Sequence, residues 1–373
     1  MKIDVITMHN VKNYGSVLQT YATQRILEKL NCEVEVIDYY RKDQVEANLV
    51  DNRINSSKIF SKNVFTKFIG RMLLTDSIKK QCSKFNEFLQ KNINLTALKY
   101  YSNEELKQNL PEADIYCTGS DQVWNSEWNK GIEKAFYLDF VPENKARISY
   151  ASSFGKTQLD ENEKEITKEL LSKYKYLSVR EESAKKIING LGIEQVEHVL
   201  DPTLMLNMKE WEKLKVNIKE KEKYILVYQL NTNNPKFDKY VKDLSKKKKM
   251  PAIRVSNVGY QRLKYGKFIN CPSIEEFLSY FINAEYIVTD SFHATAFAIN
   301  FNKKFVCIFP DKFSTRLQSI LDLTNLQERK VVDFDELNLI DKNIDYRKVN
   351  KIIENERNKS FDFLKKAVNY DKI

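Results

Sequence analysis

Thr118–Asn125 reads TGSDQVWN, and it follows Ala113–Cys117, a short apolar run of strand composition. A buried strand that ends in a Gly-Ser-Asp turn is how open α/β sheets present polar groups at their carboxyl edge, where ligands bind. Trp124 stands between the amides of Gln122 and Asn125. The turn is therefore either a pocket wall with hydrogen-bonding groups or a tight turn anchored by its Trp.

Working outward, Lys2–Met8 reads as a first strand and HNVKNYG at His9–Gly15 as a polar turn. Ser16 is the expected cap of a helix to about Leu30, with Val17, Leu18, Tyr21, Ala22, Ile26, Leu27 and Leu30 on its apolar face. Val34–Tyr39 is the second strand, completing a βαβ unit of a parallel sheet. The first turn lacks G-x-G-x-x-G, so a dinucleotide fingerprint is absent. A helix N-terminus behind a Gly-bearing loop remains, and it can bind an anion or a sugar. From about 41 to 110 the strand signal fades. Phe60, Val64, Phe65, Phe68, Ile69 and Met72, then Phe85, Phe88 and Leu89, predict a helical insertion.

Downstream, FYLDF at Phe136–Phe140 and ISYASSF at Ile148–Phe154 read as strands, the second ending at Gly155, where a ligand or another backbone can approach. YLSVR at Tyr176–Arg180 puts an arginine at a strand end, which suits carboxylate or phosphate recognition or a salt bridge to Glu181 or Glu182. HVLDPTLML at His198–Leu206 reads as a strand turned by Pro202, with Asp201 capping the next segment or facing the cleft. The strand–helix pattern restarts at Tyr224. The expected architecture is α/β, with two Rossmann-like parallel-sheet domains facing a cleft. Their expected bounds are 1–206 and 223–345, with a linker at 207–222 and a helix within 346–373 returning to the first domain. TDSFHAT at Thr289–Thr295 is the sharpest motif of the second half. Asp290 or Ser291 caps a helix there, and His293 sits in its first turn, beside free N–H groups that favour an anion.

Composition narrows the classes. The 373 residues fit about two domains, and the net charge of +10 suits anionic substrates, nucleic acid or a membrane surface without choosing among them. No nucleic-acid partner is expected, because the lysines form no clustered aromatic-basic motif. Five scattered cysteines without a C-x-x-C pair read as reduced core residues of a cytoplasmic protein. His9, His198 and His293 are too dispersed for a metal motif, so no metal is expected. No signal peptide and no membrane span are expected.

Six motifs in this order resemble the polysaccharide pyruvyl transferase family: NYGSVLQTYATQRIL at Asn13–Leu27, GSDQVWN at Gly119–Asn125, SYASSFG at Ser149–Gly155, SVRE at Ser178–Glu181, VLDPTLML at Val199–Leu206 and DSFHATAFAI at Asp290–Ile299. The resemblance runs from about Lys2 to Arg329, with the 41–110 segment least family-like. It implies a fold like that of GT-B glycosyltransferases. It implies phosphoenolpyruvate as donor and a pyruvate ketal on a sugar of a cell-surface glycan, with phosphate released and no cofactor. Arg180 and His293 match the family's donor-holding arginine and histidine. Many members carry Arg two positions before that histidine, where this chain has Ser291; Arg316 and Lys312 are the candidates to supply the missing charge.

The chemistry needs groups that hold two anions and move protons. His293 is assigned the phosphate contact or the acid role, and Asp121 or Asp290 the base or sugar-orienting role. Asn13, Tyr14, Gly15, Ser120, Gln122, Trp124 and Asn125 are the expected acceptor wall. The acceptor is a glycan or a lipid-linked oligosaccharide, the latter reached by a peripheral membrane encounter. Two other readings stand beside this one: a GT-B glycosyltransferase using a nucleotide-sugar, and a non-catalytic glycan-binding homologue.

Overall fold

The computed structural model describes residues 1–231, 234–310 and 314–369. Its first sheet contains β1 (Lys2–Ile6), β2 (Glu33–Tyr39), β3 (Leu95–Tyr100), β4 (Ile115–Thr118) and β5 (Ala146–Ser149), all parallel, in the order β3-β2-β1-β4-β5. The parallel pair β6 (Leu177–Val179) and β7 (Val196–His198) continues from β5 through single bridges at Ile148–Tyr176 and Ser152–Val179. The second sheet repeats the plan with β8 (Ile225–Tyr228), β9 (Ala252–Ser256), β10 (Lys267–Asn270), β11 (Tyr286–Thr289) and β12 (Lys304–Cys307), in the order β10-β9-β8-β11-β12. Central strands such as IYCT, ILVY and YIVT are buried at every residue because helices cover both faces. Each sheet reverses its winding beside its first strand, between β1 and β4 and between β8 and β11, and a crevice opens there at the carboxyl edge.

The two domains share one continuous apolar core. Tyr14 stacks on Phe277 with ring centroids 4.2 Å apart and donates its hydroxyl to the Pro272 carbonyl at 2.8 Å. Trp211 lies between Tyr21 and Phe297. The helix Tyr346–Val368 lies against residues of the first half of the chain: Phe363 meets Tyr176 edge-on, Ser360 accepts the Leu200 N–H, and Arg357 donates to the Leu204 carbonyl.

Several expectations are corrected. The 41–110 segment is not wholly helical. After the helices Glu46–Asn55 and Val64–Asn92 it supplies β3, an edge strand that buries only Thr96 and Tyr100 and so lacks an apolar run. The edge strand β10 buries none of its four residues fully and escapes the pattern for the same reason. Phe136–Phe140 is not a strand: Lys134–Tyr137 is a 3-10 turn, and Leu138 at φ +57° bends the chain. Its aromatics are apolar because they pack on Tyr39, Tyr116 and Trp124. β5 ends at Ser149, and the chain after β7 forms a short helix at Pro202–Met205. The first helix runs Tyr14–Glu28 and is capped by Asn13, not Ser16: the Asn13 side chain accepts from the Gly15 and Ser16 amides.

Asp4 stands buried inside β1 with neither carboxyl oxygen hydrogen-bonded. Burial pushes its pKa from 3.8 to about 7. A carboxyl raised by folding holds its proton in the native state, so stability is fullest below about pH 4 and falls as pH rises through about 7. Asp4→Asn removes that dependence. Its stability gain, read by urea unfolding, is expected to be greater near pH 8 than near pH 5 by about 2 kcal/mol.

Candidate active site

A cleft of about 330 Å³ opens between the two sheets. Its walls come from chain that has just left a strand: Met8 after β1, Arg41 after β2, Asp121 after β4, Leu230 after β8, Asp290 after β11 and Pro310 after β12. Parallel strands that all point one way deliver their following loops to one place.

Below the cleft floor lies a buried charge cluster. The Arg180 side chain is fully enclosed, and its three nitrogen groups face three carboxylates. Nη1 donates to Asp201 at 2.9 Å, Nη2 donates to Asp121 at 3.2 Å, and Nε stands 3.5 Å from Glu181. Asp121 also accepts from Ser16 Oγ at 2.5 Å, and Asp201 from Ser120 Oγ at 3.1 Å and from the Thr203 amide and hydroxyl. Burial opposes charge on Asp121, but Arg180, His293, Ser16 and Arg316 hold its pKa well below the usual carboxylate range. Asp201 is likewise held low against its burial by His293 and Arg180. Asp121 takes φ +80°, a left-handed backbone that Asp tolerates better than most residues and that turns its side chain back toward Arg180. Arg180→Met would strand three carboxylates together, with an expected loss of about 3–5 kcal/mol in urea unfolding.

The opposite wall is the start of the helix Phe292–Asn300, capped by Ser291. Asp290 stands just before it, and its two oxygens accept the Leu230 and Asn231 amides at 2.7 Å each. Burial raises its pKa to about 6 despite those donors. His293 occupies the first turn. Its Nε2 is buried without a hydrogen bond, 3.9 Å from an Asp201 oxygen. Burial lowers the histidine pKa and outweighs the pull of Asp201 and Asp121, so the ring is neutral near pH 7. Gly15 makes this placement possible: a Cβ there would lie 2.1 Å from His293 Nδ1.

Arg316, on the helix Thr315–Leu323, completes the wall. Its guanidinium and that of Arg180 lie over the same Phe292 ring, at 5.9 and 4.9 Å from the centroid. Arg316 Nε is buried and unpartnered, and among the described residues no carboxylate pairs with the group. Burial and the neighbouring Arg180 charge push its pKa down to about 10.

Of the residues singled out from sequence, Asn13, Asp121, Gln122, Asp290, Ser291, His293 and Arg316 meet in the cleft. Trp124 does not: it is buried among Tyr137, Phe154 and Tyr174 and donates Nε1 to the Phe136 carbonyl. Asn125 holds Gln122 Oε1 and caps the short helix Ser126–Asn129. Tyr14 is in the interdomain core and Ser120 beneath the floor, so neither forms an acceptor wall. The group that approaches Gly155 is the Gln122 side chain. Lys312 lies outside the described residues. The sequence pattern does not single out Arg41 or Phe292; Arg41 follows β2 as Arg180 follows β6, and the same strand-end argument applies to it. Among the described residues no three His, Cys, Asp or Glu side chains are placed to hold a metal ion, and no helix is long and apolar enough to cross a membrane.

No curated protein sequence matches the chain. Among solved structures, the UDP-GlcNAc 2-epimerase of Methanocaldococcus jannaschii, in complex with UDP-GlcNAc and UDP, is 15% identical with a TM-score of 0.53, over 99% of this chain and 100% of that one. S. aureus MnaA with UDP is 14% identical with a TM-score of 0.55, over 99% and 96%. At such identities the likeness shows the fold alone, two facing parallel-sheet domains of GT-B type. The polysaccharide pyruvyl transferase family model matches residues 13–311, a span that contains Asn13, Asp121, Asp290, Ser291 and His293 of the cleft but ends before Arg316. The chain belongs to the polysaccharide pyruvyl transferase family.

Proposed function

We propose that the cleft moves the pyruvyl group of phosphoenolpyruvate onto two hydroxyls of one sugar in a glycan or lipid-linked oligosaccharide. The observation that carries this reading is the pairing of a partnerless Arg316 with a neutral His293 at a helix N-terminus. The guanidinium and the free amides of that first turn suit the phosphate and carboxylate of the donor. Ser291 leaves the turn without the arginine common in the family, and Arg316 takes over that charge from a different helix.

The reaction balances without a cofactor. C3 of the donor gains one proton and becomes a methyl group. C2 forms two C–O bonds to the sugar and loses its C–O bond to phosphate. One hydroxyl proton replaces that given to C3, and the other leaves with the phosphate. His293, neutral and unpaired, is the base that takes a hydroxyl proton. Asp290, with a pKa raised to about 6, is the carboxyl in the cleft wall closest to neutral range and is assigned the proton for C3. Asp121 is too firmly ionised for base work; it fixes Ser16 and Arg180 and orients the sugar. The donor places the reaction on the cytoplasmic side of a membrane.

The test is thermal stability with phosphoenolpyruvate, phosphate and UDP in parallel, followed by phosphate release with glycan acceptors. Phosphoenolpyruvate at about 100 times its dissociation constant is expected to add about 2.7 kcal/mol. Stabilisation by UDP alone would move the assignment to a nucleotide-sugar glycosyltransferase; glycan binding without phosphate release would make the protein a non-catalytic homologue. Because His293 is depressed, the acid limb of kcat/KM is expected below the ordinary histidine pKa of 6.5.

A further inference from the structure

The helix Val64–Asn92 buries its large apolar side chains along its second half, at Ile78, Cys82, Phe85, Phe88 and Leu89. Along its first half Val64, Phe65, Phe68 and Met72 are 85, 71, 61 and 68% exposed. Their spacing puts them on one stripe. Ile59 before the helix and Leu73 beside the stripe are exposed as well. Soluble surfaces rarely leave so many large apolar side chains together without a use. The segment is built, not frayed. Phe60 packs against Gly70, where a Cβ would come within 2.9 Å of its ring, and Asn63 and Thr66 form a capping box.

Charge says what covers the stripe. Residues 53–84 carry eight Lys or Arg and one acid, Asp76. Arg71 is paired with Asp51 at 2.8 Å and Lys84 lies 3.6 Å from Glu276. Lys58, Lys62, Lys67, Lys79 and Lys80 are exposed, with no acidic partner among the described residues. Across a groove of about 580 Å³, Arg262 and the 83% exposed Leu263 continue the same mixture from the second domain.

We propose that this face docks on an anionic lipid surface. The stripe from Val64 to Met72, with Ile59, enters the boundary between headgroups and acyl chains, and the flanking lysines meet lipid phosphates. The helix lies in the interface plane. Two copies meeting through this face would set like charges against each other, which disfavours a dimer here. The inference does not rest on the pyruvyl-transfer reading.

The full-length protein is sedimented with vesicles of equal parts phosphatidylglycerol and phosphatidylcholine, and with phosphatidylcholine alone. Light scattering reads its oligomeric state without lipid. Wild type is expected to pellet with the anionic vesicles and not with the neutral ones. Raising salt from about 0.1 to about 0.5 M should weaken binding by about tenfold or more. The double variant Phe65→Ser, Phe68→Ser, at two exposed positions, should lose at least about tenfold while keeping its melting temperature. Wild type left in the supernatant, or a variant that binds as well as wild type, overturns the proposal. So does a wild-type dimer that the variant converts to monomer without any vesicle binding.

Discussion

Arg316→Met is expected to lose most of the turnover and raise the stability of the free protein in the same stroke. In the folded state the guanidinium pays a desolvation penalty without an ion-pair partner, beside the like charge of Arg180. An unpartnered buried polar group costs about 1–3 kcal/mol, so an apolar side chain of similar length should gain about 1 kcal/mol in urea unfolding. The same vacancy is what an anion would fill. Loss of a bidentate contact to the donor is expected to lower kcat/KM by about 100-fold or more. Arg316→Lys keeps the charge without the fork and should fall between the two. A variant that is less stable than wild type, or that retains its kcat/KM, would show that Arg316 is structural.

The second large effect belongs to Gly15. A methyl group there would stand 2.1 Å from His293 Nδ1 and 2.4 Å from Cγ, both atoms of a buried ring. The histidine has to move. Gly15→Ala is expected to reduce turnover as far as His293→Ala does, by about a thousandfold, the scale of a lost general base. It should also destabilise the fold by about 1–3 kcal/mol through overpacking. In a His293→Gly background the ring and its Cβ, which would stand 2.9 Å from the new methyl group, are both gone, and Gly15 lies within the helix Tyr14–Glu28. The same substitution should then stabilise by about 0.5–1 kcal/mol, because Ala is the better helix former. Turnover should fall no further. This reversal of sign in a double-mutant cycle is specific to the Gly15–His293 contact. Additive losses would mean that Gly15 acts elsewhere.

The strand ends were the legible part of the site. Asp121, Asp290 and His293 follow apolar runs, and parallel topology brings such residues to one crevice whatever their separation in the chain. The helix Phe292–Asn300 starts at the expected cap Ser291, and the helix Tyr346–Val368 lies within the expected 346–373. What the sequence does not reveal is which acids face Arg180. Asp121 lies 59 positions before it and Asp201 21 after it. Their meeting is a property of the folded sheet edge, and it turns an expected donor ligand into the centre of an internal salt cluster. Trp124 shows the same limit at shorter range, since a turn residue can face the ligand or the core behind it. The edge strands β3 and β10 are hidden because a half-solvated strand has no need of an apolar run.

The stack of Tyr14 on Phe277, with Trp211 between Tyr21 and Phe297, bears on how the chain can be divided. Each half contributes aromatic side chains that the other half keeps dry. The protein should therefore melt as one cooperative unit, with a single calorimetric endotherm spanning both sheets. Expressed alone, either half would present a broad sticky face to solvent. Shuffling halves between relatives, a natural route to new acceptor specificity in a two-domain transferase, would succeed only where this aromatic seam is exchanged along with them.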